Sequence, residues 1–267
     1  MSENKRNFFI KISEKTIRAF KQLFNFNDWK LLLRSIPGLV TAIFITSVVV
    51  MNLMASKVII QTEYLGITGG LLLSWIPFLT MDVVVYTFGI KAANKLNVLG
   101  LVVNLFFVGI FQLVASIQVG GDKSAYSAFN QTFSQTWQIF SASSIAFLVS
   151  GIVNNVLNFL TGKLFRKKPN CAIAYFTRSY VSTFIGQFID NFVFVSLAFL
   201  VFFKLSIGTS FGYTIISAIG TSVLGAVIEL IAEVIFSPFG YKLCKKWANE
   251  NVGADYIKHQ TNSNREI

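Results

Sequence analysis

Acidic side chains stand inside otherwise apolar stretches of this sequence, where a charge requires a partner or a task. Asp190 is the clearest case, because the helical face that carries it is polar as well. At 3.6 residues per turn, that face also contains Thr183, Gln187, Asn191 and Phe194. An ionisable residue at the centre of a membrane helix costs about 2.5–3.5 kcal/mol on insertion scales, so such residues face a bundle interior or a water-filled path. The sequence therefore predicts that this face belongs to a binding or transport site.

Three further acids occupy similar surroundings. Asp82 follows Pro77, which has no amide hydrogen and therefore predicts a kink or a free carbonyl beside the acid. Glu229 and Glu233 share a helix face, because they stand at i and i+4. Two carboxylates so close repel each other, so one of them is expected to take up a proton in a low-dielectric setting. This pair is our candidate for coupling transport to protons.

A stripe of small and amide side chains recurs at three- and four-residue spacing in another apolar run. It consists of Ser144, Gly151, Asn154, Asn155 and Asn158. Such a stripe suits close helix packing with amide hydrogen bonds across the contact. It also suits contact with a polar ligand, for which Asn154 is the candidate, and the sequence leaves both interpretations open.

Composition indicates the class of protein that must position these residues. Of the 267 residues, 54% are hydrophobic and only 13% are charged, and the mean hydropathy is +0.61. These values indicate an integral membrane protein, whose first partner is the lipid bilayer. The net charge of +11 comes from basic residues in short blocks beside apolar runs, not from one basic face. Nucleic acid is therefore not an expected partner.

Six apolar runs are each long enough to cross a hydrocarbon core of about 30 Å at about 1.5 Å per residue. They cover residues 37–56, 66–89, 97–119, 137–162, 179–203 and 212–240. Lys and Arg concentrate on one side of these runs, and the other side receives only Lys57, Lys123 and Lys204. The sequence therefore predicts an all-α membrane protein with six transmembrane helices and both termini in the cytoplasm.

The chain divides into three parts. Residues 1–36 form a basic amphipathic segment, with Ile17, Phe20 and Leu23 at helical spacing, which suits either an interfacial helix or a disordered basic tail. Residues 37–245 form the transmembrane domain, and residues 246–267 form a polar cytoplasmic tail. Six helices also divide as three plus three, with Asp82 and Asp190 in the middle helix of each half. Inverted halves of this kind occur in many transporters, but coincidence explains the arrangement equally well.

Enzymatic motifs are missing from the sequence. His259 is the only histidine and lies in the polar tail, so the sequence does not predict a histidine-based hydrolase or a histidine zinc site. A phosphate-binding glycine-rich loop with a lysine is also missing, so the chain is not expected to hydrolyse ATP. The sequence therefore predicts neither an enzyme nor a cofactor or a metal site.

Several short segments occur in the order known from one transporter family. They are Asn52 to Lys57, Pro77 to Asp82 with Gly89, Arg178 with Ser182, Gln187, Asp190 and Phe194, and Ser237-Pro238 with Tyr241. In this order the segments resemble the signatures of the queuosine precursor transporter family, also described as a vitamin uptake transporter family. The resemblance covers about residues 45 to 245. It implies a six-helix secondary importer of the bacterial inner membrane, with 7-cyano- and 7-aminomethyl-7-deazaguanine as substrates.

The resemblance also implies roles for the polar face of Asp190. Asp190 would accept hydrogen bonds from the amine edge of the base, while Gln187 and Asn191 would meet its remaining polar edge. Phe194 or Trp75 would stack on the ring. Asp82 and Asn154 are further candidates for the substrate site.

The chain departs from the family pattern at a position that bears on the substrate. Glu229 stands where the family frequently has a lysine. An acid in place of a cation suits a positively charged ligand such as the aminomethyl base, and it suits a different vitamin as substrate equally well.

An alternative function fits the same features. The substrate-binding component of an energy-coupling-factor vitamin importer is also a small six-helix protein with a basic N-terminus. Such a component needs partner ATPases, whereas a secondary transporter works alone. Uptake by the isolated chain in vesicles separates the two.

Overall fold

The computed structural model describes residues 25–55, 57–62, 66–117, 126–127, 130, 133, 137–168, 171–208 and 212–263. Within these residues, six helices are long and apolar enough to cross a membrane, which confirms the predicted all-α membrane protein. The amphipathic helix predicted around Ile17, Phe20 and Leu23 lies outside the described residues. The two inverted halves and the three-part division of the chain stay predictions.

Six spanning helices can be followed along the part of the chain that the structure describes. They are α2 (Gly38–Ala55), α3 (Leu71–Phe88), α4 (Ile90–Ser116), α5 (Trp137–Gly162), α6 (Ala172–Val195) and α8 (Ile215–Asn249). Shorter elements precede, connect or follow them: α1 (Phe26–Ser35), β1 (Val58–Gln61), β2 (Gly66–Thr68), α7 (Lys204–Ile207) and α9 (Ala254–Ser263). A 3₁₀ turn (Lys163–Phe165) extends α5, and a π-helical segment (Ser196–Phe203) joins α6 to α7.

Local sequence explains where several of these elements begin. Asn25 caps α1 by accepting from the amide of Asn27 at 3.1 Å, and Thr214 caps α8 in a reciprocal capping box with Ser217. Gly89 adopts a φ of 85°, a backbone conformation that glycine reaches without strain, and the chain passes there from α3 into α4. These residues set the helix ends where the connections are short.

The connection between α2 and α3 is an antiparallel β-hairpin that the sequence did not indicate. Val58 pairs with Thr68, and Ile60 pairs with Ile67. Gly70, which follows the hairpin, packs so closely on α2 that an added Cβ would stand 2.7 Å from the carbonyl oxygen of Met51. We call this side of the bundle the hairpin end, and the side that carries α1 and α9 the terminal-helix end.

The helices differ from the predicted apolar runs mainly at their charged ends. The run predicted from residue 66 becomes a helix only at Leu71, because residues 66–68 form β2. In contrast, α4 and α6 begin seven residues earlier than the runs predicted from 97 and 179, and α8 continues to Asn249 beyond the predicted 240. A hydropathy run stops at the first basic residues, whereas the backbone hydrogen bonds of a helix continue through them.

Packing is uneven around the bundle. Helix α5 packs most extensively on α6, and α6 in turn packs on α8, so these helices together with α3 form the interior. Helix α4 is peripheral and exposes large apolar side chains, including Val102, Phe106 and Leu113. In a membrane protein such a surface faces lipid. Polar residues that line the interior are therefore the ones to examine for function.

Asp28 joins three helices at the terminal-helix end. Its carboxylate lies 3.1 Å from Lys95 Nζ of α4 and 2.7 Å from His259 Nε2 of α9. Burial raises the pKa of Asp28, but the hydrogen bonds and charges of His259 and Lys95 outweigh burial and leave that pKa below its ordinary value of 3.8. This cluster ties α1 and α9 to the bundle.

Candidate functional site

The acids of α3, α6 and α8 belong to two separate polar clusters, to which α5 adds polar side chains. The cavity cluster lies nearer the hairpin end and comprises Asn52, Ser74, Asp190, Asn191, Phe194 and Glu229. The sealed cluster lies nearer the terminal-helix end and comprises Asp82, Asn154, Ser179, Ser182, Thr183 and Glu233. Glu229 and Glu233 are one turn apart on α8, so this helix contributes one acid to each cluster, about 6 Å apart along its axis.

Glu229 holds three helices together in the cavity cluster. The hydroxyl of Ser74 on α3 donates to Glu229 Oε1, and Asn191 Nδ2 on α6 donates to Glu229 Oε2 at 3.0 Å. Asn191 also donates to the carbonyl of Gln187 at 2.9 Å, and Gln187 Nε2 donates to the carbonyl of Ser74 at 3.4 Å. The carboxylate of Glu229 is thus fixed by donors from two neighbouring helices.

Asp190 and Asn52 complete the wall of this cluster. Ser150 on α5 donates to Asp190 Oδ1 at 2.7 Å, and Asp190 is only partly buried because it borders the cavity. The hydroxyl of Ser143 donates to Asn52 Oδ1, while the buried Asn52 Nδ2 has no hydrogen-bond partner among the described residues. A buried amide that leaves a donor unused beside two carboxylates is an incomplete hydrogen-bond arrangement. A ligand with both acceptors and donors would complete it.

The cavity itself is narrow. Its volume is about 30 Å³, and Thr68 and Gly70 line it at the hairpin end. A water molecule needs roughly 10–15 Å³ of such space, whereas pockets for drug-sized ligands measure about 300–1,000 Å³. In this conformation the cavity admits water-sized molecules, and a bicyclic ligand requires the surrounding helices to separate.

Asp82 is the centre of the sealed cluster. Its Oδ1 accepts from Asn154 Nδ2 at 2.8 Å, and its Oδ2 accepts from Ser179 Oγ at 2.6 Å. Ser182 and Thr183 add longer hydrogen bonds of 3.3 Å and 3.4 Å to the same carboxylate. All of these side chains are fully buried. The carboxylate is therefore saturated with donors, and its side chain has no solvent exposure in this conformation.

Glu233 enters the sealed cluster from α8. The hydroxyl of Ser179 lies within hydrogen-bonding distance of Glu233 Oε1 as well as of Asp82, so one serine connects two acids on different helices. Glu233 Oε2 and Asn154 Oδ1 are both buried and have no hydrogen-bond partner among the described residues. Both of these atoms are acceptors, so the cluster has fewer hydrogen-bond donors than acceptors to pair with them.

A cation lies beside the sealed cluster without joining it. Arg178 Nη2 donates to Asn158 Oδ1 at 2.9 Å, and its guanidinium lies 5.0 Å from the ring centroid of Tyr86. Asn158 in turn donates to Ser182 Oγ at 3.5 Å, and Arg178 interacts electrostatically with Asp82. The positive charge of Arg178 thus offsets one of the two carboxylates.

Close helix contacts, made possible by glycine, position both clusters. An added Cβ on Gly225 of α8 would stand 2.8 Å from Asn191 Nδ2, which shows how tightly α6 and α8 meet at the cavity cluster. An added Cβ on Gly186 of α6 would stand 3.0 Å from Phe78 and 3.1 Å from Asn154, beside the sealed cluster. Small residues at these positions allow polar side chains to reach across the interface.

The structure divides the residues predicted for one site between the two clusters. Asp190, Asn191, Phe194 and Glu229 line the cavity, and Gln187 packs beside it. Asp82, Asn154 and Glu233 belong to the sealed cluster. Trp75 is not brought to the cavity: it stacks on Phe236 at 4.0 Å and lines an apolar groove between α2, α3 and α8.

Sequence reasoning missed three serine hydroxyls of the two clusters and assigned no role to Asn52. Ser74, Ser150 and Ser179 each donate to an acid, yet serine is common in membrane helices and gives no distinctive signal. Asn52 is the first residue of a family signature, and for this amide the sequence leaves helix packing and ligand contact both open. Its one usable signal is that an amide inside an apolar run requires a partner.

The described residues do not form a metal centre, because they contain no group of three or more His, Cys, Asp or Glu side chains close enough to hold an ion.

Comparison with known families gives one match. The family model described as "Putative vitamin uptake transporter" matches residues 68–243, which include α3 and α5 and nearly all of the acids described above. Searches of curated proteins and of solved structures gave no significant match.

Proposed function

We propose a specific task for this protein, which belongs to the "Putative vitamin uptake transporter" family: it imports a queuosine precursor or a closely related heterocycle. The family establishes the general class, a vitamin uptake transporter in a membrane. The substrates we propose are 7-cyano- and 7-aminomethyl-7-deazaguanine, bound in the cavity cluster. The protein would work as a secondary transporter in the bacterial inner membrane.

The hydrogen-bonding pattern of the cavity cluster carries this proposal. Asp190 and Glu229 present carboxylate acceptors, and Asn52 Nδ2 is a buried donor with no partner among the described residues. A deazaguanine presents an amine and ring N–H donors on one edge and a carbonyl acceptor beside them. Acids paired with the donors and an amide paired with the carbonyl would satisfy both sides. Phe194 supplies an aromatic face in the same cavity.

Charge favours the aminomethyl base over the cyano base. None of the described residues that line the cavity is basic, whereas Asp190 and Glu229 are both acids. The aminomethyl group carries a positive charge at neutral pH, so it offsets a carboxylate that the cyano group leaves uncompensated. We therefore expect tighter binding of the aminomethyl compound.

Substrate entry requires a change of shape. The cavity of about 30 Å³ is too small for a bicyclic base, so α2 and the hairpin have to separate from α6 and α8. The excess of basic residues beside the termini favours a cytoplasmic terminal-helix end. The hairpin end would then face outwards and open first.

Binding to the purified protein tests the substrate. We expect 7-aminomethyl-7-deazaguanine to bind more tightly than 7-cyano-7-deazaguanine in calorimetry, and unrelated vitamins such as riboflavin and biotin not to bind. Proteoliposomes that contain only this chain should take up the bound compound. Binding without uptake would instead support a component that needs partner ATPases, and absence of binding by both deazaguanines would refute the proposed substrate.

Removal of the unused donor tests the binding mode. Asn52→Ala deletes one hydrogen bond to a neutral acceptor, which is worth about 0.5–1.5 kcal/mol, so affinity should fall by roughly three- to tenfold. Asn104→Ala is the matched control, because Asn104 donates to Ser144 at 2.8 Å and does not line the cavity. Equal affinity losses in both variants would contradict a direct contact with Asn52.

A further inference from the structure

We propose that the sealed cluster is a proton-binding site separate from the substrate cavity. In this site Asp82 and Glu233 share one proton through Ser179, and release of that proton drives import. The inference relies on the proposed function only for the identity of the transported molecule. It reassigns Asp82 from the substrate site, where the sequence placed it, to the coupling site.

A count of hydrogens supports the shared proton. The hydroxyl of Ser179 has one hydrogen, yet Ser179 Oγ contacts both Asp82 Oδ2, at 2.6 Å, and Glu233 Oε1. One hydrogen cannot serve two carboxylate oxygens, so the second contact needs a hydrogen on one of the acids. The arrangement is complete when either Asp82 or Glu233 is protonated.

Two orphaned acceptors provide separate support. Glu233 Oε2 and Asn154 Oδ1 are buried, and neither has a donor among the described residues. Glu233 and Asn154 have no solvent exposure, so bulk water does not compensate. A charged carboxylate with an unpaired oxygen is costly in such a place, and protonation of Glu233 removes that charge.

The charge balance of the surroundings points the same way. The titratable groups that interact electrostatically with the pair are Arg178 and Tyr175 on α6 and Cys244 on α8. Arg178 is the only cation among these. One proton and the charge of Arg178 together neutralise the two acids, and loss of the proton leaves one net negative charge inside the bundle.

A metal cation fits the cluster poorly. A hard cation needs a shell of about six oxygen ligands around an open point. Here the oxygens hydrogen-bond to one another, at 2.6 Å between Ser179 and Asp82 and 3.3 Å between Ser182 and Asp82. Ion binding would have to break these contacts, whereas a proton uses them.

The proton can move between the acids with all atoms balanced. The O–H bond of Glu233 breaks as its proton passes to Ser179 Oγ, and the hydroxyl proton of Ser179 passes to Asp82 Oδ2. Glu233 becomes a carboxylate, Asp82 becomes the acid, and Ser179 is unchanged. The proton thereby moves from α8 to α3.

Helix α8 links this step to the substrate. Glu229 in the cavity and Glu233 in the sealed cluster are one turn apart on the same helix, so a shift of α8 that widens the cavity also moves Glu233 away from Ser179. That shift breaks the shared-proton contact. Release of the substrate into the cytoplasm and release of the proton are then two consequences of one helix movement, as import driven by an inward proton gradient requires.

Infrared difference spectroscopy tests proton binding without any substrate. Wild-type protein in lipid, compared between acidic and alkaline buffer, should show a protonated carboxyl band that disappears on deprotonation. Glu233→Gln should lose this band, and Glu250→Gln, an exposed site at the end of the same helix, should keep it. Asp82→Asn provides the same test if Glu233→Gln does not fold. A band that Glu233→Gln and Asp82→Asn both retain would overturn the proposal. A band that responds to sodium and not to pH would also overturn it.

Transport of 7-aminomethyl-7-deazaguanine separates coupling from binding. With an inward gradient of one pH unit, a carrier that moves one proton per substrate accumulates substrate up to about tenfold, and an uncoupled carrier only equalises the two concentrations. We expect Glu233→Gln to lose accumulation while substrate exchange continues, Glu229→Gln to lose both, and Glu250→Gln to retain both. Gradient-driven accumulation by Glu233→Gln would overturn the coupling role. If neither the wild type nor any variant transports the compound, but Glu233→Gln still loses the protonated carboxyl band, the proposed substrate is wrong and the proton site stands.

Discussion

The cavity cluster and the sealed cluster are built from the same chemical groups, and yet their surroundings differ. Each contains an acid from α6 or α3, a glutamate from α8, a serine that donates to it and an amide. The cavity cluster borders open space and leaves a donor, Asn52 Nδ2, unused. The sealed cluster borders no cavity among the described residues and leaves two acceptors unused.

This difference indicates what each cluster can bind. Unused donors and acceptors beside a cavity suit a molecule with its own polar edges, whereas unused acceptors without space suit only a proton. Residue type alone does not separate the two roles. The access of each acid to open space does.

Exchange of one carboxylate for an amide in each cluster should give the largest difference between the two clusters. Asp190→Asn replaces an acceptor with a donor at the amine edge of the substrate, and hydrogen bonds to charged groups are worth about 1.5–3 kcal/mol, so affinity should fall roughly 10- to 100-fold. Asp82→Asn should leave equilibrium affinity near that of the wild type and abolish accumulation. Calorimetry and proteoliposome uptake measure the two effects, and size-exclusion chromatography checks that both variants remain folded.

The opposite pattern of binding in these two variants would contradict the division into two sites. If Asp82→Asn loses substrate binding while Asp190→Asn keeps it, the substrate site is the sealed cluster. If both lose binding to the same extent, the two clusters act as one site. Glu250→Gln is expected to match the wild type throughout, because Glu250 is exposed at the end of α8.

Two glycines allow a subtler comparison of the same clusters. Gly225→Ala places a methyl group 2.8 Å from Asn191 Nδ2, so the amide should leave Glu229 and affinity should fall by roughly three- to tenfold. Gly186→Ala places a methyl group 3.0 Å from the ring of Phe78, so unfolding free energy should fall by about 1–3 kcal/mol without a loss of affinity.

Gly38→Ala is the control for both, since nothing lies within 4 Å of an added Cβ at that position. Binding and thermal unfolding in detergent report the two effects. A loss of affinity in Gly186→Ala as large as that in Gly225→Ala would show that helix spacing, and not the cavity cluster, sets affinity.

The sequence predicted the spanning helices well because lipid imposes a simple rule on them. A run of apolar residues long enough to cross the bilayer must be helical, since its backbone groups have no other partners there. The hairpin at Val58–Gln61 and Gly66–Thr68 follows no such rule, and its strands are too short for alternation to be recognised. Helix ends were missed for a related reason, because hydropathy detects the apolar core of a helix and not its charged extensions.

The acids of the site were predictable, whereas their grouping was not. Asp82, Asp190, Glu229 and Glu233 stand out because charge is rare in membrane helices. Periodicity places Gln187 and Asn191 on the face of Asp190, but it cannot say how deep α3 lies relative to α6. That depth decides that Asp82 meets Ser179 and not Asp190. Contacts between distant helices depend on packing, for which one sequence carries no direct signal.

The smallest effect is expected far from both clusters, at Asp28. The pKa of Asp28 is below its ordinary value in the folded protein, because the charges and hydrogen bonds of His259 and Lys95 outweigh its burial. A depressed pKa means that the stabilisation is present above the unfolded value of 3.8 and is lost as the pH falls through the lower folded value. The wild type should therefore be more stable than Asp28→Asn at neutral pH, and the difference should shrink in acid below pH 3.8.

Thermal unfolding of both proteins across that pH range measures the difference, and calorimetry should find unchanged substrate affinity in Asp28→Asn at neutral pH. His259→Gln is the matched variant, because it removes one partner and leaves the contact of 3.1 Å between Asp28 and Lys95. It should therefore be less destabilised than Asp28→Asn. Among the described residues, the carboxylate of Asp28 forms ion pairs with Lys95 and His259, and neither residue belongs to a cluster. A marked loss of affinity in Asp28→Asn would therefore mean that the terminal-helix end controls the cavity.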